Sequence, residues 1–181
     1  MTRIALILLL GCSACGVALQ PKSARTVAAY EVPLSTMSER NELVALLRQE
    51  AAIERFHVDS ATAEQLKQLS EVSPISISAA VWRGKDDDEA VASVMDGPDR
   101  LGLALLTFSL SEEPARTSRF KERVMFRIRA RWPKTEVIPI MPTGATPLHD
   151  DLVLTKDGYR VKREAASEYE LPAISPLITG G

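Results

Sequence analysis

The sequence predicts an α+β domain: an antiparallel sheet of about four strands with an N-terminal helix and a long basic helix packed on it. Two segments, one after Thr36 and one after Ser111, repeat apolar residues at the three- and four-residue spacing of an amphipathic helix. Between them, apolar and polar residues alternate with the two-residue period of a strand. A run of strands between helices favours the α+β class, because the helices can then cover one sheet.

The first eleven residues have the order of a secretory signal peptide. Arg3 supplies a positive charge, an unbroken apolar run extends from Ile4 to Leu10, and small residues stand beside Cys12 and Cys15. The run is far shorter than the roughly 20 residues that span a bilayer. The order therefore predicts export, and a lasting transmembrane helix is excluded. An ordinary N-terminal strand or helix is the alternative.

The segment Leu9-Leu10-Gly11-Cys12 is similar to the processing motif of bacterial lipoproteins, in which a peptidase cuts before a cysteine that carries lipid. The resemblance implies lipidation with acyl chains such as palmitate at Cys12, and hence attachment to a membrane. Ser13-Ala14-Cys15 is the second candidate, and plain secretion after cleavage behind Ala14 is a third interpretation. Ser13 after Cys12 resembles the family pattern for outer-membrane sorting in Gram-negative bacteria, which implies a domain that faces the periplasm.

Residues 12–35 are predicted to be the lipidated N-terminus and a tether, and residues 36–181 a single domain. The tether lacks sustained periodicity and ends in a short strand near Val27–Val32. Thr36-x-x-Glu39 is a capping box that begins the first helix. A short strand is expected at Phe56–Val58, and a second box, Thr62-x-x-Gln65, begins a short helix.

The sheet is predicted from the segments that follow. Its four main strands are expected at 75–82, 91–95, 101–110 and 135–140. The third is apolar on both faces and is therefore expected to be central. Ser111-Glu112-Glu113-Pro114 is expected to supply the N-cap and an acidic first turn of the long helix. The helix is expected to end near Trp132, because Pro133 disfavours an α conformation at the residue before it. The C-terminal part is rich in proline and irregular, with a hairpin about Asp157-Gly158.

The long helix carries an unusual concentration of basic residues. Arg119, Arg123 and Arg127 are spaced four apart, so they form one row on the helix surface. They are the candidate binding residues, for lipid phosphates or an acidic protein. The alternative is a solvated face whose arginines pair with acidic loops such as Asp86–Glu89. Because exposed pairs contribute only about 0–1 kcal/mol each, changing all three to Gln is then expected to cost little stability.

Catalytic and metal chemistry find little support in the sequence. His57 and His149 each stand near an aspartate and could be an oriented base, but no Gly-x-Ser-x-Gly elbow is present. No catalytic residue is therefore assigned. The contiguous carboxylates Asp86–Glu89 are expected to form a solvated hairpin tip, because calcium ligands are spaced around a glycine turn. No motif for a metal or a cofactor occurs, and the two cysteines belong to the leader.

The formal charge is -2, from 22 basic and 24 acidic residues, which argues against a nucleic-acid partner. The sequence thus predicts a lipid-anchored cell-envelope protein that acts as a non-enzymatic binding or assembly module. Its partners would be the membrane, through the anchor, and an envelope protein. An immunity or inhibitor lipoprotein is the sharper form of this prediction. The alternative is a periplasmic hydrolase that uses His57 or His149.

Overall fold

The structure, a computed structural model, describes residues 25–72, 76–84, 89–96, 102–142 and 144–169. These residues form one six-stranded sheet, a separate two-stranded hairpin and three α-helices. The predicted α+β class and the antiparallel sheet are confirmed. The predicted number of about four strands is wrong, and so is the N-terminal helix as the first element, because the described part begins with a strand.

The six strands of the sheet are β1 (Thr26–Pro33), β2 (His57–Ser60), β3 (Ser76–Arg83), β4 (Glu89–Asp96), β5 (Leu103–Ser109) and β6 (Glu136–Ile138). Their order across the sheet is β2-β3-β4-β5-β1-β6, and all neighbours are antiparallel. The helices are α1 (Met37–Ile53), α2 (Ala63–Val72) and α3 (Pro114–Arg131). The hairpin consists of β7 (Leu152–Thr155) and β8 (Gly158–Val161).

The two strands beyond the four main ones are β1 and β2, near the two places where only a short strand was expected. β1 falls in the range predicted as the tether, yet it is an inner strand that pairs with β5 and β6. Both of its faces are covered: Val32 lies in the core beneath the helices and Ala29 in the core beneath the hairpin. A strand covered on both faces lacks the clean alternation of a half-buried one. β2 has only four residues and becomes an edge of the sheet through its pairing with β3.

Local signals placed three of the helix ends, but the predicted start of the long helix is wrong. α3 begins at Pro114, with Glu113 as its N-cap and no acidic residue in its first turn, because the hydroxyl of Ser111 accepts from the backbone N–H of Glu113 before the helix starts. The hydroxyl of Thr36 accepts from the backbone N–H of Glu39, and the Glu39 carboxylate accepts from the Thr36 backbone N–H, so the first capping box is confirmed. The pair Thr62 and Gln65 is bonded reciprocally in the same way at the start of α2. α3 ends at Arg131, before Trp132 and Pro133, as predicted.

The core lies between the sheet and the pair α1 and α3. Phe120, Val124 and Ile128 of α3 are each 0% exposed, which confirms the predicted apolar row of that helix. The hairpin covers the other face of the sheet at the β1 end, where Leu152 packs with Leu105. Within the described ranges, no helix combines the length and the apolar character needed to cross a membrane.

Candidate functional site

The basic row on α3 faces α1 and pairs with Glu50 of that helix and with Glu54, its C-cap residue. The Nε atom of Arg123 is 3.0 Å from Oε2 of Glu50, and its Nη1 atom is 2.9 Å from Oε1 of Glu54. Arg127 Nη1 is 2.8 Å from Glu50 Oε1, and Arg119 Nη2 is 3.2 Å from Glu54 Oε2. Each carboxylate thus bridges two arginines of the row, and Oε2 of Glu54 also lies 3.8 Å from Nε of Arg116. We call these three arginines and two glutamates the interhelical ladder.

The carboxylates of the ladder are more buried than its guanidinium groups. The Glu50 and Glu54 side chains are 7% and 9% exposed, whereas that of Arg123 is 33% exposed. Burial raises the pKa of the Glu50 carboxyl, but hydrogen bonds from Arg127 and Arg123 outweigh it and hold this pKa below its ordinary value. Hydrogen bonds from Arg119 and Arg123 also lower the pKa of Glu54. Both carboxylates therefore depend on the arginines for compensation of their charge.

Two further arginines of α3 extend these contacts along α1. Arg131 Nε is 2.7 Å from Oε1 of Glu42. Arg116 donates to the backbone carbonyl of Glu54, and its guanidinium lies 4.5 Å from the centre of the Phe56 ring. The side of α3 that faces α1 is therefore engaged within the chain. A role of Arg119, Arg123 and Arg127 in binding a partner stays a prediction.

The arginines of the ladder pair with Glu50 and Glu54, whereas the sequence suggested acidic loops such as Asp86–Glu89 as their partners. Asp86, Asp87 and Asp88 lie outside the described residues. Glu89 is the first residue of β4, pairs with Arg83 and accepts a hydrogen bond of 2.8 Å from the Glu112 backbone N–H. The acidic residue of this loop that the structure describes therefore holds the start of α3 to β3 and β4.

The sequence of α1 and its C-cap contains a spacing of acidic residues that matches the spacing of the arginines on α3. Glu50 and Glu54 are spaced four apart, and Glu42 lies two such steps before Glu50. Residues four apart share one helix face, so an acidic row on α1 complements the basic row on α3. Finding that complement requires knowing that the two helices, about 70 residues apart in the chain, lie side by side on one sheet.

His57 lies at the edge of the sheet, in a cluster of charged side chains. It lines an open cleft of about 510 Å³ together with Arg55, Arg83, Arg116 and Glu113. Arg116 Nη1 is 3.0 Å from Glu113 Oε2, and Arg83 also pairs with that carboxylate at 3.5 Å. Glu113 is thus held by two cations beside His57, an arrangement typical of an ion-pair network.

His149 bonds to a buried carboxylate on the hairpin side of the sheet. Its Nδ1 atom is 2.8 Å from Oε1 of Glu31, a β1 residue that is only 2% exposed. The imidazole also packs edge to face on Tyr159, with ring centres 5.9 Å apart. A carboxylate that orients a histidine is one half of many hydrolytic sites.

The two histidines lie too far apart to act together. His149 bonds to a residue of β1, whereas His57 belongs to β2, and three strands lie between β1 and β2. Neighbouring strands are about 4.8 Å apart, so the separation across the sheet is about 19 Å. A hydrolytic site in this domain would therefore use only one of them.

A second open cleft, of about 700 Å³, lies along β2. Strand β2 pairs with β3 on one side, and no described strand pairs with its other side. Ile77 is 55% exposed here and Trp82 is half-buried. The polar side chains that line this cleft are those of Asp59, Ser60, Gln65 and Gln68.

Nothing in the described ranges groups three or more side chains able to hold a metal ion. No protein-family model matches the chain, and no curated protein matches it in sequence.

Proposed function

We propose that this chain is a lipid-anchored bacterial cell-envelope protein whose domain is a non-enzymatic binding or assembly module. The leader supports the anchor, at Cys12 or alternatively at Cys15, and the serine after Cys12 supports the outer membrane with the domain facing the periplasm. Both cysteines lie outside the described residues. The domain would hold an envelope protein, and neutralising a secreted toxin or hydrolase is the sharper form of this role.

The observation that supports binding most strongly is the open edge at β2 with its cleft. An edge strand offers backbone N–H and C=O groups that an extended segment of a partner can pair with. Ile77 and Trp82 would supply apolar contact, and Gln65 and Gln68 would supply hydrogen bonds to the partner. We therefore place the protein partner on β2.

Site-specific crosslinking tests this placement. A photoreactive amino acid at Gln68 is expected to give a defined crosslinked product with an envelope protein in intact cells. The same amino acid at Lys156, in the hairpin turn between β7 and β8, is the control and is expected to give none. Products of equal yield at both positions would contradict a partner on β2.

The hydrolase alternative is favoured by one specific observation, the bond between His149 and the buried Glu31. Replacing His57 and His149 together with Gln keeps a polar side chain at each position but removes the proton-transfer chemistry. If the domain is a binding module, cells that lack the protein are expected to recover its cellular function when they express the double variant. Failure to do so with an unchanged melting temperature would favour the hydrolase.

A further inference from the structure

One side of α3 faces away from α1 and exposes an unusual amount of apolar surface. Phe126 is 78% exposed, although it belongs to a helix that supplies much of the core. Beside it lies an open groove of about 600 Å³ between α3 and β1, lined also by Tyr30 and Met125. Val137 of β6 lies directly opposite Tyr30 in the sheet and is 53% exposed, so it adds to the same surface.

The cations of this surface are not paired with acidic residues of the described domain. Lys121 and Arg129 line the groove, and neither makes an ion pair with any residue that the structure describes. In contrast, the arginines on the α1 side of the helix are all paired, as described above. Glu122 also lines the groove, and its carboxylate accepts a hydrogen bond from Ser118. We call Tyr30, Lys121, Phe126, Arg129 and Val137 the α3–β1 patch.

Exposed aromatic and aliphatic groups flanked by cations are typical of surfaces that meet anionic membranes. The aromatic ring enters the boundary between headgroups and acyl chains, while the cations meet the phosphates. Each Lys or Arg near an anionic surface strengthens such binding by about fivefold. The charge and the apolar character of the α3–β1 patch therefore match a membrane better than they match a neutral partner.

The position of the proposed anchor is compatible with the same occupant. The chain from Cys12 to Arg25 leads directly into β1, the strand that contributes Tyr30 to the patch. Its 13 peptide steps can extend to about 45 Å, which lets a domain of this size lie with either side against the bilayer. We propose that the α3–β1 patch rests on the anionic phospholipid surface to which the chain is anchored. This inference rests on the proposed lipid anchor.

A thiol label beside the patch tests the proposal in the acylated full chain. Ala130 is exposed and lines the groove, so Ala130→Cys places an environment-sensitive fluorophore there while Phe126 is kept. Ala52→Cys on α1, another exposed helical alanine, is the matched control. Both are made with Cys15→Ser, and the probe is a vesicle of phosphatidylethanolamine and phosphatidylglycerol.

On these vesicles the label at position 130 is expected to shift to the emission of an apolar environment, while the label at position 52 is not. Lys121→Gln with Arg129→Gln should lower the ratio of bound to free patch by about 30-fold. Phosphatidylcholine vesicles and raised salt should weaken the shift as well. Phe126→Ser should reduce the shift without a change in melting temperature, because the ring is exposed.

Flotation with the vesicles separates the two possible failures. A chain that floats but whose label at position 130 stays in water overturns the patch and leaves the anchor intact. A chain that does not float overturns the anchor, and the inference with it. A label that is already shielded before vesicles are added would show that a second copy or another part of this chain covers the patch, and would also overturn the proposal.

Discussion

Val124→Asp is expected to unfold the domain. Val124 is 0% exposed and packs among α1, α3 and the sheet, where a carboxylate would find no compensating cation. Burying an unpaired charge costs several kcal/mol, which is comparable to the whole stability of a typical domain of about 5–15 kcal/mol. Circular dichroism is expected to show no cooperative thermal transition for this variant.

Phe126→Asp is the matched control for this prediction. Phe126 lies two residues along the same helix but is 78% exposed. The same new carboxylate then stays in water, and the expected change is within about 0.5 kcal/mol. A folded Val124→Asp variant, or an unfolded Phe126→Asp variant, would show that the faces of α3 are assigned the wrong way round.

Replacing Arg119, Arg123 and Arg127 together with Gln is expected to cost about 2–4 kcal/mol of unfolding free energy. This exceeds the small effect that the sequence suggested for exposed pairs, because the acidic partners, Glu50 and Glu54, are largely buried. Glu50 would lose both of its arginine partners, and Glu54 would keep Arg116 at 3.8 Å. The partial exposure of the guanidinium groups keeps the cost below that of breaking a fully buried pair. Chemical denaturation measures the difference.

Lys121→Gln with Arg129→Gln is the matched control, since these cations of the same helix have no ion-pair partner among the described residues. Its expected effect is within about 0.5 kcal/mol. An equally small effect of the triple variant would mean that the ladder contributes little and that the row is free for another role.

The pH dependence of stability gives an independent test of the ladder. The folded pKa values of Glu50 and Glu54 lie below the ordinary value of 4.5. The unfolded state therefore binds protons first, so this contribution is complete above about pH 4.5 and is lost as the pH falls through the lower folded values. The gap in unfolding free energy between the parent and the triple arginine variant is expected to narrow from pH 6 to pH 3. A constant gap would contradict a role of these carboxylates.

Local patterns and long-range pairing differ in how far the sequence reveals them. The capping boxes at Thr36 and Thr62 and the end of α3 before Pro133 depend on neighbours within four residues, and each was predicted. The place of β1 inside the sheet depends on pairing with β5, more than 70 residues later. Nothing within β1 itself signals that pairing, because both of its faces are covered.

The contacts of the candidate site also depend on long-range packing that the sequence does not reveal. The arginine row was visible as a period of four, and the glutamates of α1 carry the same period. Only the packing of α1 beside α3 shows that the two rows meet. The side of α3 that carries Phe126 between Lys121 and Arg129 faces away from α1. It can be identified only from the structure, which shows α1 packed against the opposite side of α3.

Acyl labelling of the full chain in its native envelope tests the central claim, that the domain works from a lipid anchor. With labelled palmitate, Cys12→Ser is expected to abolish incorporation and to move the protein from the membrane fraction to a soluble or uncleaved form, whereas Cys15→Ser keeps both properties. Loss of labelling in Cys15→Ser alone would place the anchor at Cys15. Labelling that neither Cys12→Ser nor Cys15→Ser abolishes would contradict the lipid-anchored account.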